Sequence, residues 1–193
     1  MSIGAIIAVI VIVLVVAVAV YAARHEHAKR QIRASFGAEY DQVRADYGGV
    51  RGADRELARR TQLHKKLRLE QISADDQDFY ATSWNHVQGG FLDNPALALT
   101  GAEQLVARLV AARGYPAIDD DEHLALLSVR HGHVLPGYRQ ARSVSERAAT
   151  DPTLVSTEEE RKALMQYRTL SEDLLAAPGA TAPRATQSSG VKP

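Results

Sequence analysis

The sequence predicts an all-α protein: one N-terminal transmembrane helix, then a small bundle of about five or six helices and a disordered C-terminal tail. Three observations predict it. Residues 3–23, "IGAIIAVIVIVLVVAVAVYAA", are uncharged and almost wholly aliphatic. Downstream, apolar residues recur at steps of three and four between helix-start signals, and no stretch alternates with period two. The last residues, "APGATAPRATQSSGVKP", carry too little apolar surface to offset the entropy of ordering them. The expected organisation is an anchor over 1–23, a basic juxtamembrane helix over 24–35, a helical domain over 36–176 and the tail over 177–193.

At about 1.5 Å of rise per residue, a helix over 3–23 spans roughly the 30 Å hydrocarbon core of a bilayer. In lipid such a helix satisfies its own backbone, whatever its β-branched content. Ala17-Val18-Ala19 offers the small-x-small pattern of a cleaved signal peptide, but no Lys or Arg precedes the apolar run. The run also exceeds the usual h-region of about 7–15 residues, which favours an anchor. Tyr21 falls at the interfacial position, and "RHEHAKRQIR" follows it. Excess cations mark the cytoplasmic flank, so the expected topology is a single pass through the bacterial inner membrane with the N-terminus outside and the helical domain in the cytoplasm. Arg24, Lys29, Arg30 and Arg33 are the candidate lipid contacts, worth about 1 kcal/mol each near an anionic surface, with Arg44 and later cations adding to them.

After this flank the helix can run to about Ser35, where Phe36-Gly37 interrupts it. A short helix around 39–47 stops at Gly48-Gly49, and Asp54 is the expected cap of the next, which carries Leu57, Leu63 and Leu67. Ser73 with Asp76 three residues later opens a helix whose Tyr80, Trp84, Val87 and Phe91 share one face, a pattern that fits core. Asn94-Pro95 supplies a cap and an N1 proline for a helix bearing Ala98, Ala102, Leu105, Leu109 and Ala112, closed by Gly114 and Pro116. Asp119, Asp120 and Asp121 suit the positive end of another. Along it, Leu124, Leu127, His131, Val134 or Leu135, and Tyr138 trace an apolar face, with a bend or break expected at Gly132 and Pro136. Ser156-Thr157 before three glutamates starts the last helix, with Ala163, Tyr167, Leu170 and Leu174 inward.

Composition excludes several functions. The chain has 193 residues and no cysteine, so disulfides, thiolate nucleophiles, Cys-bound zinc and iron–sulfur clusters are out of reach. Net charge is zero, which argues against general nucleic-acid binding. The total conceals a split: residues 24–70 hold twelve Lys or Arg against seven Asp or Glu, whereas 71–130 hold three against nine. The cationic stretch at 51–68 lacks interleaved aromatics, so anionic lipid or an acidic protein suits it better than RNA or DNA.

The sharpest chemical candidate is "LLSVRHGHVLPGYRQA", where His131 and His133 flank Gly132 with His123 upstream. Imidazole and carboxylate suit zinc, so a metal-binding sensor or metal-dependent enzyme using His123, His131 and His133 is the alternative reading. On a continuous helix, residues two apart face different ways, and Leu127 sits midway between His123 and His131. The expectation is therefore His131 in the core and His133 solvated, with convergence open only to a non-helical turn at Gly132. Ser128 and His131 form an i, i+3 pair without an orienting acid or oxyanion site in the sequence. No G-x-S-x-G, H-E-x-x-H or phosphate-binding glycine loop is present.

The blocks "FGAEYDQV", "RELARR", "FYATSWNHVQGGFLDNPALAL", "RGYP", "LSVRHGHVLPGYRQA" and "STEEERKALMQYRTLSEDLL" resemble a family of uncharacterised single-pass membrane proteins of actinobacteria, over residues 36 to about 176. The resemblance implies architecture and a bacterial membrane location, and no activity or catalytic residues. In that pattern a proline follows the histidine corresponding to His131, where this chain has Gly132. Together these readings lead to a membrane-anchored, non-enzymatic interaction or scaffold protein without a cofactor, whose partners are lipid and an unidentified protein.

Overall fold

In a computed structural model of the chain, the described residues are 36, 38–117 and 121–177. Among them lie seven α-helices, one turn of 3-10 helix and no strand. The helices are α1 (Ala38–Asp46), α2 (Val50–His64), α3 (Ala74–Gly90), α4 (Pro95–Ala112), α5 (Asp121–His131), α6 (Leu135–Thr150) and α7 (Thr157–Ala176), with the 3-10 turn at Pro152–Leu154. The all-α expectation holds. Seven helices replace the expected five or six because the bend at Gly132 is a complete break, with α5 ending at His131 and α6 beginning at Leu135. The anchor at 3–23, the juxtamembrane helix, Asp119, Asp120 and the tail beyond Ala177 lie outside the described residues. Among the described residues no helix is long and apolar enough to cross a membrane.

Local chemistry sets the helix starts. The Ser73 hydroxyl accepts from the Asp76 amide, and the Asn94 side chain from the Leu97 amide ahead of Pro95. Ser156 and Glu159 form a reciprocal capping box. One start departs from expectation: α2 begins at Val50, with Gly49 at the N-cap, and not at Asp54. The chain reverses tightly after α1, and the Tyr47 carbonyl lies where a Cβ on Gly52 would stand, only 1.8 Å away. A glycine there lets the first turn of α2 form directly against the end of α1. Asp54 instead accepts the Tyr40 hydroxyl at 3.1 Å, tying α2 to α1.

α7 packs along α4 and α6 and forms the spine of the larger core. Trp84, Leu99, Leu109, Leu127, Leu135, Tyr138, Tyr167, Leu170 and Leu174 are buried there. Each fully buried side chain of this size contributes about 1.5–3 kcal/mol. α1 and α2 enclose a smaller cluster of Phe36, Tyr40, Val43, Ala53 and Leu57, with Val129 of α5 packed against it. Buried Arg113 joins distant loops by donating to the carbonyls of Glu70 and Ala177, both at 2.7 Å.

Candidate functional site

The α1–α2 hairpin meets the bundle through charge. Glu39, on the inner face of α1, is 1% exposed, and Arg139 of α6 donates to both its oxygens at 2.6 and 2.9 Å. Arg60 of α2, also buried, donates to Glu39 at 3.2 Å, to Glu56 at 2.9 Å and to the Ser128 hydroxyl of α5 at 3.3 Å. Arg59 grips Glu56 with two bonds of 2.8 and 3.0 Å and reaches Glu122 at 3.2 Å. The hydrogen bond from Arg59 does most to hold the Glu56 carboxyl down at about 2, against burial, with Arg60 assisting. Its bond to Glu39 raises the Arg139 guanidinium, outweighing burial.

A cleft of about 700 Å³ opens over this seam, between Asp46 and Tyr47 on one side and Asp121 and Glu122 on the other. The chemistry is that of a lock: the buried carboxylates are saturated by guanidinium donors. Ser128 accepts from Arg60 and donates to the Ala125 carbonyl at 2.6 Å, which places no base beside its hydroxyl. Its expected neighbour His131 turns elsewhere.

His131 is buried, as expected, and its Nδ1–H donates to Asp173 Oδ2 of α7 at 2.6 Å. His133 is mostly exposed, yet its Nε2 stands 3.4 Å from Asp173 Oδ1. The pair therefore converges on one carboxylate, contrary to what helical spacing predicts, because α5 stops at His131 and the turn swings His133 back. A Cβ on Gly132 would stand 2.7 Å from the Ser128 carbonyl oxygen and 3.1 Å from that of Phe36, so this turn has no room for a side chain. Among the described residues no three His, Asp or Glu side chains form a group that could hold a metal ion, so His123 does not complete a ligand set with His131 and His133.

His131 Nε2 is buried without a hydrogen-bond partner, beside the edge-on ring of Tyr115 at 5.9 Å between centroids. Tyr115 in turn hydrogen-bonds His64 Nε2 at 3.2 Å. Burial pushes His131 below the usual imidazole range although Asp173 opposes it, and burial, then the charges of Arg130 and His131, push His64 down to about 4. Both rings are neutral near pH 7. A base whose folded-state pKa is depressed adds stability that is complete above its unfolded value of about 6.5 and is lost as pH falls through the folded value. The expected result is a loss on the order of 1–2 kcal/mol between pH 6.5 and 4 from His64, discounted for its partial exposure. Urea unfolding across that window checks it, with His64→Phe predicted to flatten the slope; an unchanged slope would reject His64 as the source.

A second charged surface is exposed to solvent. Arg51, Arg55, Lys65, Lys66 and Arg68 project from and just beyond α2, and Arg44 from α1, all exposed. Among the described residues none of the six takes part in an ion pair. The expected lipid contacts Arg24, Lys29, Arg30 and Arg33 lie outside the described residues.

Compared with known protein families, with curated proteins and with solved structures, the chain matches none.

Proposed function

We propose that this chain is a membrane-tethered, non-enzymatic helical module that scaffolds or recruits a protein partner at the bacterial inner membrane, its basic half resting on anionic lipid. The supporting observation is the group of exposed cations on and just beyond α2, Arg51, Arg55, Lys65 and Lys66, which form no ion pair among the described residues and lie in the part of the chain that follows the apolar segment at 3–23. Arg60 and Arg139 are taken up by the buried carboxylates of Glu39 and Glu56, whereas these face solvent and are available to phosphate headgroups. A cytoplasmic position fits the cations after residue 23, and a reporter fused after Pro193 that works only outside the cytoplasm would reject it.

Lipid contact is testable without the apolar segment. Residues 24–193 are expected to co-sediment with phosphatidylglycerol vesicles at low salt, to ignore phosphatidylcholine vesicles, and to release as ionic strength rises. Four charge reversals at Arg51, Arg55, Lys65 and Lys66 are expected to weaken binding at least tenfold, since each cation contributes about 1 kcal/mol near the surface. No binding at low salt would remove lipid from the proposal.

A further inference from the structure

The turn between α1 and α2, Tyr47-Gly48-Gly49, carries apolar surface that neither core takes up. Tyr47 is 47% exposed and Val50, the first residue of α2, 39%. Neither belongs to the cluster of Phe36, Tyr40, Val43, Ala53 and Leu57 that the two helices enclose, nor to the larger core. The turn stands clear of the bundle at its two glycines. Gly48 and Gly49 adopt φ of 69° and 107°, and a Cβ on either would meet no atom within 4 Å. Two apolar side chains on one turn make too small a patch to seat a protein. They suit a bilayer interface, where a tyrosine buries the body of its ring and keeps its hydroxyl at headgroup level.

Charge around the turn indicates which surface it meets. Arg44 lies one helical turn before Tyr47, and Arg51 and Arg55 follow Val50 on one face of α2. All three are exposed and form no ion pair among the described residues. The acids nearest the turn are directed elsewhere: Asp46 lines the cleft with Arg139, and Asp54 accepts the Tyr40 hydroxyl. An apolar tip flanked by such cations matches an anionic bilayer at two depths, phosphates outside and acyl chains within.

We propose that the α1–α2 turn is a membrane-inserting tip: Tyr47 and Val50 enter the interfacial layer of an anionic bilayer while Arg44, Arg51 and Arg55 hold its phosphates. This rests on the lipid contact proposed above and adds which residues pass below the headgroups. Cations alone hold a surface weakly, because salt screens their attraction over about 8–10 Å. Buried apolar area adds a part that salt does not screen. With its N-terminal end inserted, α2 then fixes the direction in which the bundle faces away from the membrane.

The natural chain has no cysteine, so a single introduced one carries an environment-sensitive fluorophore cleanly. Val50→Cys reports on the tip, and Ala58→Cys, exposed on the same stripe of α2 as Arg51 and Arg55, reports on the cationic face. In the full chain reconstituted into phosphatidylglycerol vesicles, the Val50→Cys probe is expected to shift to the blue and to be quenched by nitroxide on lipid acyl chains. The Ala58→Cys probe should be quenched by nitroxide on headgroups only. In phosphatidylcholine vesicles both effects on the Val50→Cys probe should vanish. Tyr47→Ser, and separately Arg51→Glu with Arg55→Glu, should each remove its acyl-chain quenching and leave the far-ultraviolet circular dichroism spectrum unchanged. Headgroup quenching of Ala58→Cys without acyl-chain quenching of Val50→Cys would overturn insertion and leave lipid contact standing, whereas quenching at neither position would remove both. Acyl-chain quenching of Val50→Cys that persists in phosphatidylcholine, or that survives both sets of substitutions, would also overturn the proposal, because neither the cations nor Tyr47 would then seat the turn.

Discussion

Glu39→Ala is expected to lower the free energy of unfolding by about 3 kcal/mol, the low end of the usual 3–5 kcal/mol for breaking a buried ion pair. The carboxylate is buried between two guanidinium groups, and its loss strands part of their charge in a site that water barely reaches. Arg60 keeps Glu56, and Arg139, 27% exposed, can turn toward solvent, which is why the low end applies. Urea unfolding gives the measure, as a shift of midpoint with unchanged slope. The paired replacement Glu39→Leu with Arg139→Leu should cost less than Glu39→Leu alone, because removing both charges also removes their desolvation. A loss below about 1 kcal/mol for Glu39→Ala would mean that the seam behaves as a solvated surface pair.

This seam also shows where sequence reasoning stops. Helix starts at Ser73, Asn94-Pro95 and Ser156 were legible because a cap is settled within four residues of chain. The inward faces of α3 to α7 were legible for the same kind of reason: Trp84, Leu105, Leu127 and Tyr167 fall on stripes of period 3.6, and all four are buried. Glu56 with Arg59 and Arg60 had a readable signal in their i, i+3 and i, i+4 spacing, yet spacing alone suits an exposed face equally well. What draws Arg60 inside is Glu39, which also meets Arg139 across a hundred residues, while Arg59 stays exposed. Asp173 likewise gathers His131 and His133 from another helix, overriding the spacing rule that set them apart. The start of α2 was missed because Asp54 is a good cap by type, whereas its carboxylate serves Tyr40.

The bundle is expected to be as sensitive at Trp84 as at the seam, for a different reason. Its indole is buried on α3, and Nε1–H donates to the Ser171 hydroxyl of α7 at 3.0 Å. α3 buries only Tyr80 and Trp84, so this ring supplies much of what holds the helix to the core. Trp84→Ala removes the largest side chain type and leaves a void, at an expected cost of about 3–5 kcal/mol. Trp84→Phe keeps an aromatic ring in place but leaves the fully buried Ser171 hydroxyl without its donor, at about 1–3 kcal/mol. Adding Ser171→Ala to Trp84→Phe should return part of that loss, which packing alone would not predict. Circular dichroism in urea suits the series, since the chain has no other tryptophan to report by fluorescence. Hydrogen exchange separates two outcomes: faster exchange confined to 74–90 means that α3 detaches by itself, whereas faster exchange through α4 and α7 means that the larger core unfolds as one unit. The second is expected, because Trp84 packs within the same continuous cluster as Leu99 of α4 and Leu170 of α7.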